Sequence, residues 1–189
     1  MGKGITKEIV LKEAEKILKK QGYSHLTIRE IAASLEIKPA SVYNHIGGIS
    51  EVYEHISFVA SQKLRKQIEN AIKGKSGDEA FLAGSRAYRS FAEKNREMYI
   101  VLIRGRRSPD KKVTHAVFDG FAPLRDVILT YVQDDYQRLN FIRIFRSFLH
   151  GFVEITYNGF MQKGSVSRDE TFEIAINHYL SILKGFKQL

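Results

Sequence analysis

Between Thr27 and Ile46 the chain has room for only two short helices and a tight turn. Thr27 and Glu30 stand at the spacing of a capping box, so a helix starts there. Ile28, Ile31, Ala32 and Leu35 follow at helical spacing and form one buried stripe. The stripe breaks at Glu36-Ile37-Lys38. Pro39 suits the first turn of a new helix, where its missing N–H would have had no partner. Val42 and Ile46 are the inward pair of that helix, which leaves Ser41, Tyr43, Asn44 and His45 pointing outward. An ordinary helical hairpin shares this spacing, but its free face would carry a solvated Glu/Lys mixture. A very short helix with a small apolar anchor and a hydrogen-bonding outer face is what a helix-turn-helix sends into the major groove.

The stretch Thr27-Ile28-Arg29-Glu30-Ile31-Ala32, then Leu35, then Ser41-Val42-Tyr43-Asn44-His45-Ile46, resembles the DNA-binding signature of the tetracycline-repressor (TetR) family of bacterial regulators. The likeness runs on into Gly47-Gly48-Ile49 and Val52, and Tyr-Asn-His followed by Gly-Gly is similar to one branch of that family. Beyond this part the chain resembles the family only in length and helical layout. Two positions depart from the pattern. Glu36 stands where the family has Gly, which implies a strained turn, and Ile49 stands where a Lys often supplies a phosphate contact. The resemblance implies an all-α fold. A three-helix helix-turn-helix domain, residues 1–48, is joined by a long helix to an α-helical effector-binding and dimerisation domain, residues 49–189. It further implies a homodimeric, ligand-responsive repressor on an inverted-repeat operator of double-stranded DNA. The alternative is a DNA-binding module with no small-molecule effector, acting through a protein partner or DNA architecture.

The totals agree with this reading. The chain has 189 residues and no cysteine, which excludes disulfides and thiolate metal sites. The first twenty residues are charged and amphipathic, unlike a signal peptide. No apolar run approaches the roughly 18–20 residues of a membrane span, so a cytoplasmic protein is expected. The net charge of +9 favours a polyanion. The excess is diffuse: residues 1–50 hold eight Lys/Arg against five Asp/Glu. The six histidines (His25, His45, His55, His115, His150 and His178) show no metal-ligand spacing. Gly74-Lys75-Ser76 is not a P-loop, because the required earlier glycine is Glu69. Neither an enzyme nor a metal or other cofactor is expected.

The rest of the chain shows no strand pattern. Residues 5–21 form the first helix, ended by Gly22. A long helix spans about 50–73, followed by helices at about 76–94 and 96–104. Gly105, Ser108 and Pro109 mark a loop. The next pattern, about 110–132, contains Gly120 and Pro123, and the proline should kink or break it. Asp134 or Asp135 caps a helix to about Met161, and Ser167 with Glu170 caps the last.

The candidate DNA-binding residues are Thr27, Arg29, Lys38, Pro39, Ala40, Ser41, Tyr43, Asn44 and His45. Thr27 lies at a helix N-terminus, where backbone N–H groups favour phosphate. Asn44 suits adenine or a phosphate, and Tyr43 a phosphate. Lys3 and Lys7 are within reach of the backbone as well. The last two long helices carry more apolar surface than one neighbour covers. Phe148, Leu149, Phe152, Tyr179 and Leu183 are therefore expected at a dimer interface. His150-Gly151 with Phe152 resembles a short motif of the same branch's ligand domain. Tyr88, Phe91, Tyr99, His115, Phe118 and Phe121 are the candidate lining of a pocket for an apolar or aromatic effector, with Arg89 as a further polar group. The basic run Arg104, Arg106, Arg107, Lys111 and Lys112 reads as a solvated loop or as a site for an anionic effector.

Overall fold

The computed structural model describes residues 4–104, 119–161 and 165–186, and every regular element among them is helical. In chain order these are α1 (Lys7–Gln21), α2 (Ile28–Ser34), α3 (Pro39–Val42), α4 (Ile49–Ile72), α5 (Gly77–Lys94), α6 (Arg96–Arg104), α7 (Ala122–Leu129), α8 (Asp135–Tyr157) and α9 (Arg168–Phe186). Short 3₁₀ turns occupy Tyr23–His25 and Asp119–Phe121. No helix among the described residues is long and apolar enough to cross a membrane.

The helix starts follow local chemistry. The hydroxyl of Thr27 accepts the Glu30 N–H at 3.1 Å, the Asp134 carboxylate accepts that of Gln137 at 2.8 Å, and the Ser167 hydroxyl accepts that of Glu170 at 3.1 Å. Pro123 lies in the first turn of α7, so it begins a helix rather than kinking one. The part of the expected 110–132 helix before residue 119 lies outside the described residues. The α8 helix stops at Tyr157 rather than Met161, because Asn158 caps it and Gly159 follows with φ 82.

The chain divides into two compact units, residues 1–62 with 95–119, and residues 63–94 with 120–189. The helix α6 thus belongs with the helix-turn-helix, although it lies far along the chain. The core of the first unit is Val10, Leu11, Ala14, Ile17, Leu18, Leu26, Ile31, Ala32, Val42, Ile46, Val52, Ile56 and, from α6, Val101. In the second unit the packing includes a row of rings. Phe81 meets Phe145 at 4.9 Å, Phe148 meets Tyr179 at 5.0 Å, and Phe152 meets Phe172 at 5.0 Å. Gly84 lets α5 and α7 approach closely: a Cβ there would lie 2.9 Å from Leu124 Cδ1.

Candidate nucleic-acid interface

The turn between α2 and α3 is a two-bond helix ending. The Ile37 N–H donates to Ala32 O at 3.0 Å and the Glu36 N–H to Ala33 O at 3.1 Å. This is a Schellman arrangement, whose residue after the cap must be left-handed. That residue is Glu36, with φ 56, and it is the one non-glycine residue with positive φ among those described. The strain expected from the missing glycine is therefore present, at about 1–2 kcal/mol.

Lys38 is extended, as a residue before proline should be, and α3 begins at Pro39. Regular helix ends at Val42, shorter than the expected run to Ile46. The chain continues as tight turns: Asn44 N–H to Ser41 O at 3.3 Å, and His45 N–H to Val42 O at 3.0 Å. Four residues cannot sustain a helix alone. It is held by Val42, fully buried, and Ile46, at 3 % exposure. Those two anchors turn the other face outward. Thr27, Arg29, Lys38, Pro39, Ala40, Tyr43 and Asn44 are exposed, with Tyr43 at 58 %, while Ser41 and His45 are half-buried. The Thr27 hydroxyl uses its oxygen for the cap, which leaves its O–H as a donor.

Two carboxylates support this face, and neither was found from sequence. Glu51, at the start of α4, accepts the Gly47 N–H at 2.7 Å and pairs with Lys7 of α1. The Lys7 ammonium, and then the Gly47 N–H, hold its carboxyl below the ordinary 4.5. Glu97, in the first turn of α6, accepts the Tyr23 N–H at 2.7 Å. A capping or i,i+4 pattern could have pointed to Glu51, which follows Gly47 by four residues. No local signal points to Glu97, whose partner is 74 residues away. Lys3 lies outside the described residues.

The other candidate sites are dispersed. Tyr88, Phe91 and Phe121 belong to the second unit and are nearly buried, with Tyr88 and Phe121 edge to face at 6.1 Å. Tyr99 is fully buried and belongs to the first unit. His115 and Phe118 lie outside the described residues, as do Arg106, Arg107, Lys111 and Lys112. Arg89 packs over the Phe172 ring at 4.9 Å and the Phe152 ring at 5.2 Å, and bonds to Glu93 and Asp169. Leu149 and Leu183 are fully buried and Phe152 nearly so, all within their own chain, while Phe148 and Tyr179 are half-buried. Exposed apolar side chains on α8 and α9 include Tyr136, Leu139 and Tyr157 as well as Ile144 at 57 %, Ile155 at 44 %, Ile174 at 49 % and Ile182 at 51 %.

Residues 10–56 match the model of bacterial regulatory proteins of the tetR family, and residues 81–179 match the tetracyclin repressor-like C-terminal domain. The chain belongs to the TetR family. It is a helix-turn-helix transcriptional regulator, and its TetR N-terminal match contains the whole exposed face described above. The uncharacterized HTH-type transcriptional regulator YobS of Bacillus subtilis is 26% identical over 176 residues, covering 90% of each chain. The TetR fold is shared with a protein of unknown function from Rhodococcus sp. RHA1, at TM-score 0.78 and 18% identity over 96% of this chain and 97% of that one. It is shared also with BioQ in complex with its double-stranded DNA operator, at TM-score 0.67 and 17% identity over 96% and 99%. ActR of Streptomyces coelicolor in complex with (S)-DNPA matches at TM-score 0.67 and 14% identity over 97% and 99%.

Proposed function

We propose that the protein is a homodimeric, ligand-responsive repressor of the branch with Tyr-Asn-His before Gly-Gly, acting in the cytoplasm on an inverted-repeat operator. The observation that carries this reading is the exposed polar face held by two buried anchors, Val42 and Ile46. Asn44 reads a base edge, and Tyr43, Lys38 and the Thr27 hydroxyl hold phosphates. One such face reads too few base pairs for useful specificity, so two copies act together, their recognition helices about 34–36 Å apart. Ile144 and Ile155 recur along one side of α8, and Ile174 and Ile182 along one side of α9. This supports a four-helix interface built from those isoleucines, with Leu149, Phe152 and Leu183 behind it.

The proposed effector is a mainly apolar or aromatic small molecule bound in the second unit near Tyr88, Phe91 and Phe121. The cluster of aromatic side chains there, with Tyr88 edge to face with Phe121, and the ligand-bound fold neighbour ActR support it. It releases DNA by binding the arrangement in which the two recognition helices do not fit the operator, and the DNA complex in turn binds it less tightly. Selection of bound DNA from a random library tests the core of the proposal. An inverted repeat is expected, and recovery of no enriched site, or of a single unrepeated one, would refute it.

A further inference from the structure

The loop from Gly22 to Thr27 decides where α2 begins, and it is tied down from three sides. Its own bonds run from His25 N–H to Gly22 O at 3.2 Å, Leu26 N–H to Tyr23 O at 3.2 Å and Thr27 N–H to His25 O at 2.9 Å. From α4, the Tyr53 ring stacks on Tyr23 at 5.6 Å, and the Tyr53 hydroxyl donates to Leu26 O at 3.3 Å. From α6, the Glu97 carboxylate takes the Tyr23 N–H at 2.7 Å. The same carboxylate leaves little space beside Gly22, whose added Cβ would lie 3.2 Å from Glu97 Oε2, and Gly22 itself has φ 86. Glu97 is firmly placed in turn. Val101, one turn further along α6, is buried in the helix-turn-helix core, and its carbonyl accepts the Ser57 hydroxyl at 3.3 Å.

We propose that Glu97 is a positioning residue for operator binding: its bond to the Tyr23 N–H fixes the loop that sets Thr27 and the start of α2 against the DNA backbone. This rests on the DNA-binding reading above. A charge-assisted bond to one backbone N–H, made from a helix outside the family's N-terminal match at residues 10–56, has a direct effect at the phosphate-facing end of α2. The loop's own backbone bonds and the Tyr53 hydroxyl bond, at 2.9–3.3 Å, join neutral groups, so the carboxylate makes the one charge-assisted contact among them.

The test uses the full chain and the operator selected from a random library, with binding measured at fixed salt and at a temperature where each variant is folded. Glu97→Ala is expected to weaken operator binding about tenfold. Glu97→Gln, which keeps a carbonyl oxygen at the same reach, is expected to restore most of it. Thr27→Ala should then cost less affinity in the Glu97→Ala background than in the parent, because the misplaced hydroxyl no longer meets its phosphate. A merely structural role would lower the melting temperature and leave folded-state affinity and this coupling unchanged, and that result overturns the proposal. Should Glu97→Ala fail to fold, Glu97→Asp, which withdraws the acceptor by one methylene, carries the same expectation, and parental affinity in it overturns the proposal. A parent chain that selects no DNA at all refutes the DNA-binding reading instead, so the two failures are distinguishable.

Discussion

The buried side chains behind α1, α2 and α3 are aliphatic, while those between α5, α8 and α9 include a row of rings. Part of the contrast lies in the shortness of α3. A four-residue helix presents one inward position, Val42, and a β-branched side chain there has a fixed rotamer and short reach. Helices of 18, 23 and 19 residues each present several inward positions, and aromatic rings fill many of them. In the first unit a few methyl groups thus fix the backbone while the outer face carries the chemistry. In the second, stability and surface are separated by a thick aromatic layer.

The largest effect should come from that layer. Phe145 is fully buried and touches the rings of Phe81, Phe141, Phe148 and Tyr179. Phe145→Ala should lose about 3–5 kcal/mol in urea unfolding. A loss under about 1 kcal/mol would show that the ring layer collapses readily around the missing side chain.

Asn44→Ala sharpens the other side. The residue is exposed, so unfolding stability should change by no more than about 0.5 kcal/mol. Operator binding should weaken by about 1–3 kcal/mol at fixed salt. A fall in stability of the same size as the fall in binding would make Asn44 part of the scaffold.

Glu36→Gly should raise stability by about 1 kcal/mol by relieving the left-handed backbone, read as a shift in the urea midpoint. An unchanged or lower midpoint would mean that the Glu36 side chain repays its strain. The smallest effect concerns acid. Because Lys7 and the Gly47 N–H lower the folded-state pKa of Glu51, its contribution is complete above pH 4.5 and fades as pH falls through the lower folded value. Glu51→Gln should therefore flatten the acid limb of the stability profile, whereas an identical limb would remove this group from it.

What was legible in the sequence was local. Thr27, Asp134 and Ser167 cap helices whose N–H groups lie three residues away, and Glu36 betrayed its backbone by standing where glycine belongs. What was illegible depended on partners. The apolar stripes of α8 and α9 say that Leu149, Phe152 and Leu183 are buried, but not whether the chain's own helices bury them. Tyr99 was equally clear as an inward residue, yet its stripe does not name the unit it faces. Glu97 gave no sign at all, because a single bond across 74 residues leaves no periodicity.

The membership of α6 in the first unit bears on how this protein can be cut and recombined. A chimera that grafts residues 1–62 onto another regulator's effector half would leave Glu97 and Val101 behind. The foreign helix would have to supply an apolar plug for the gap left by Val101 and an acceptor for the Tyr23 N–H. Operator specificity is therefore portable between relatives only as a discontinuous piece, with 95–104 carried along or its two contacts rebuilt in the host.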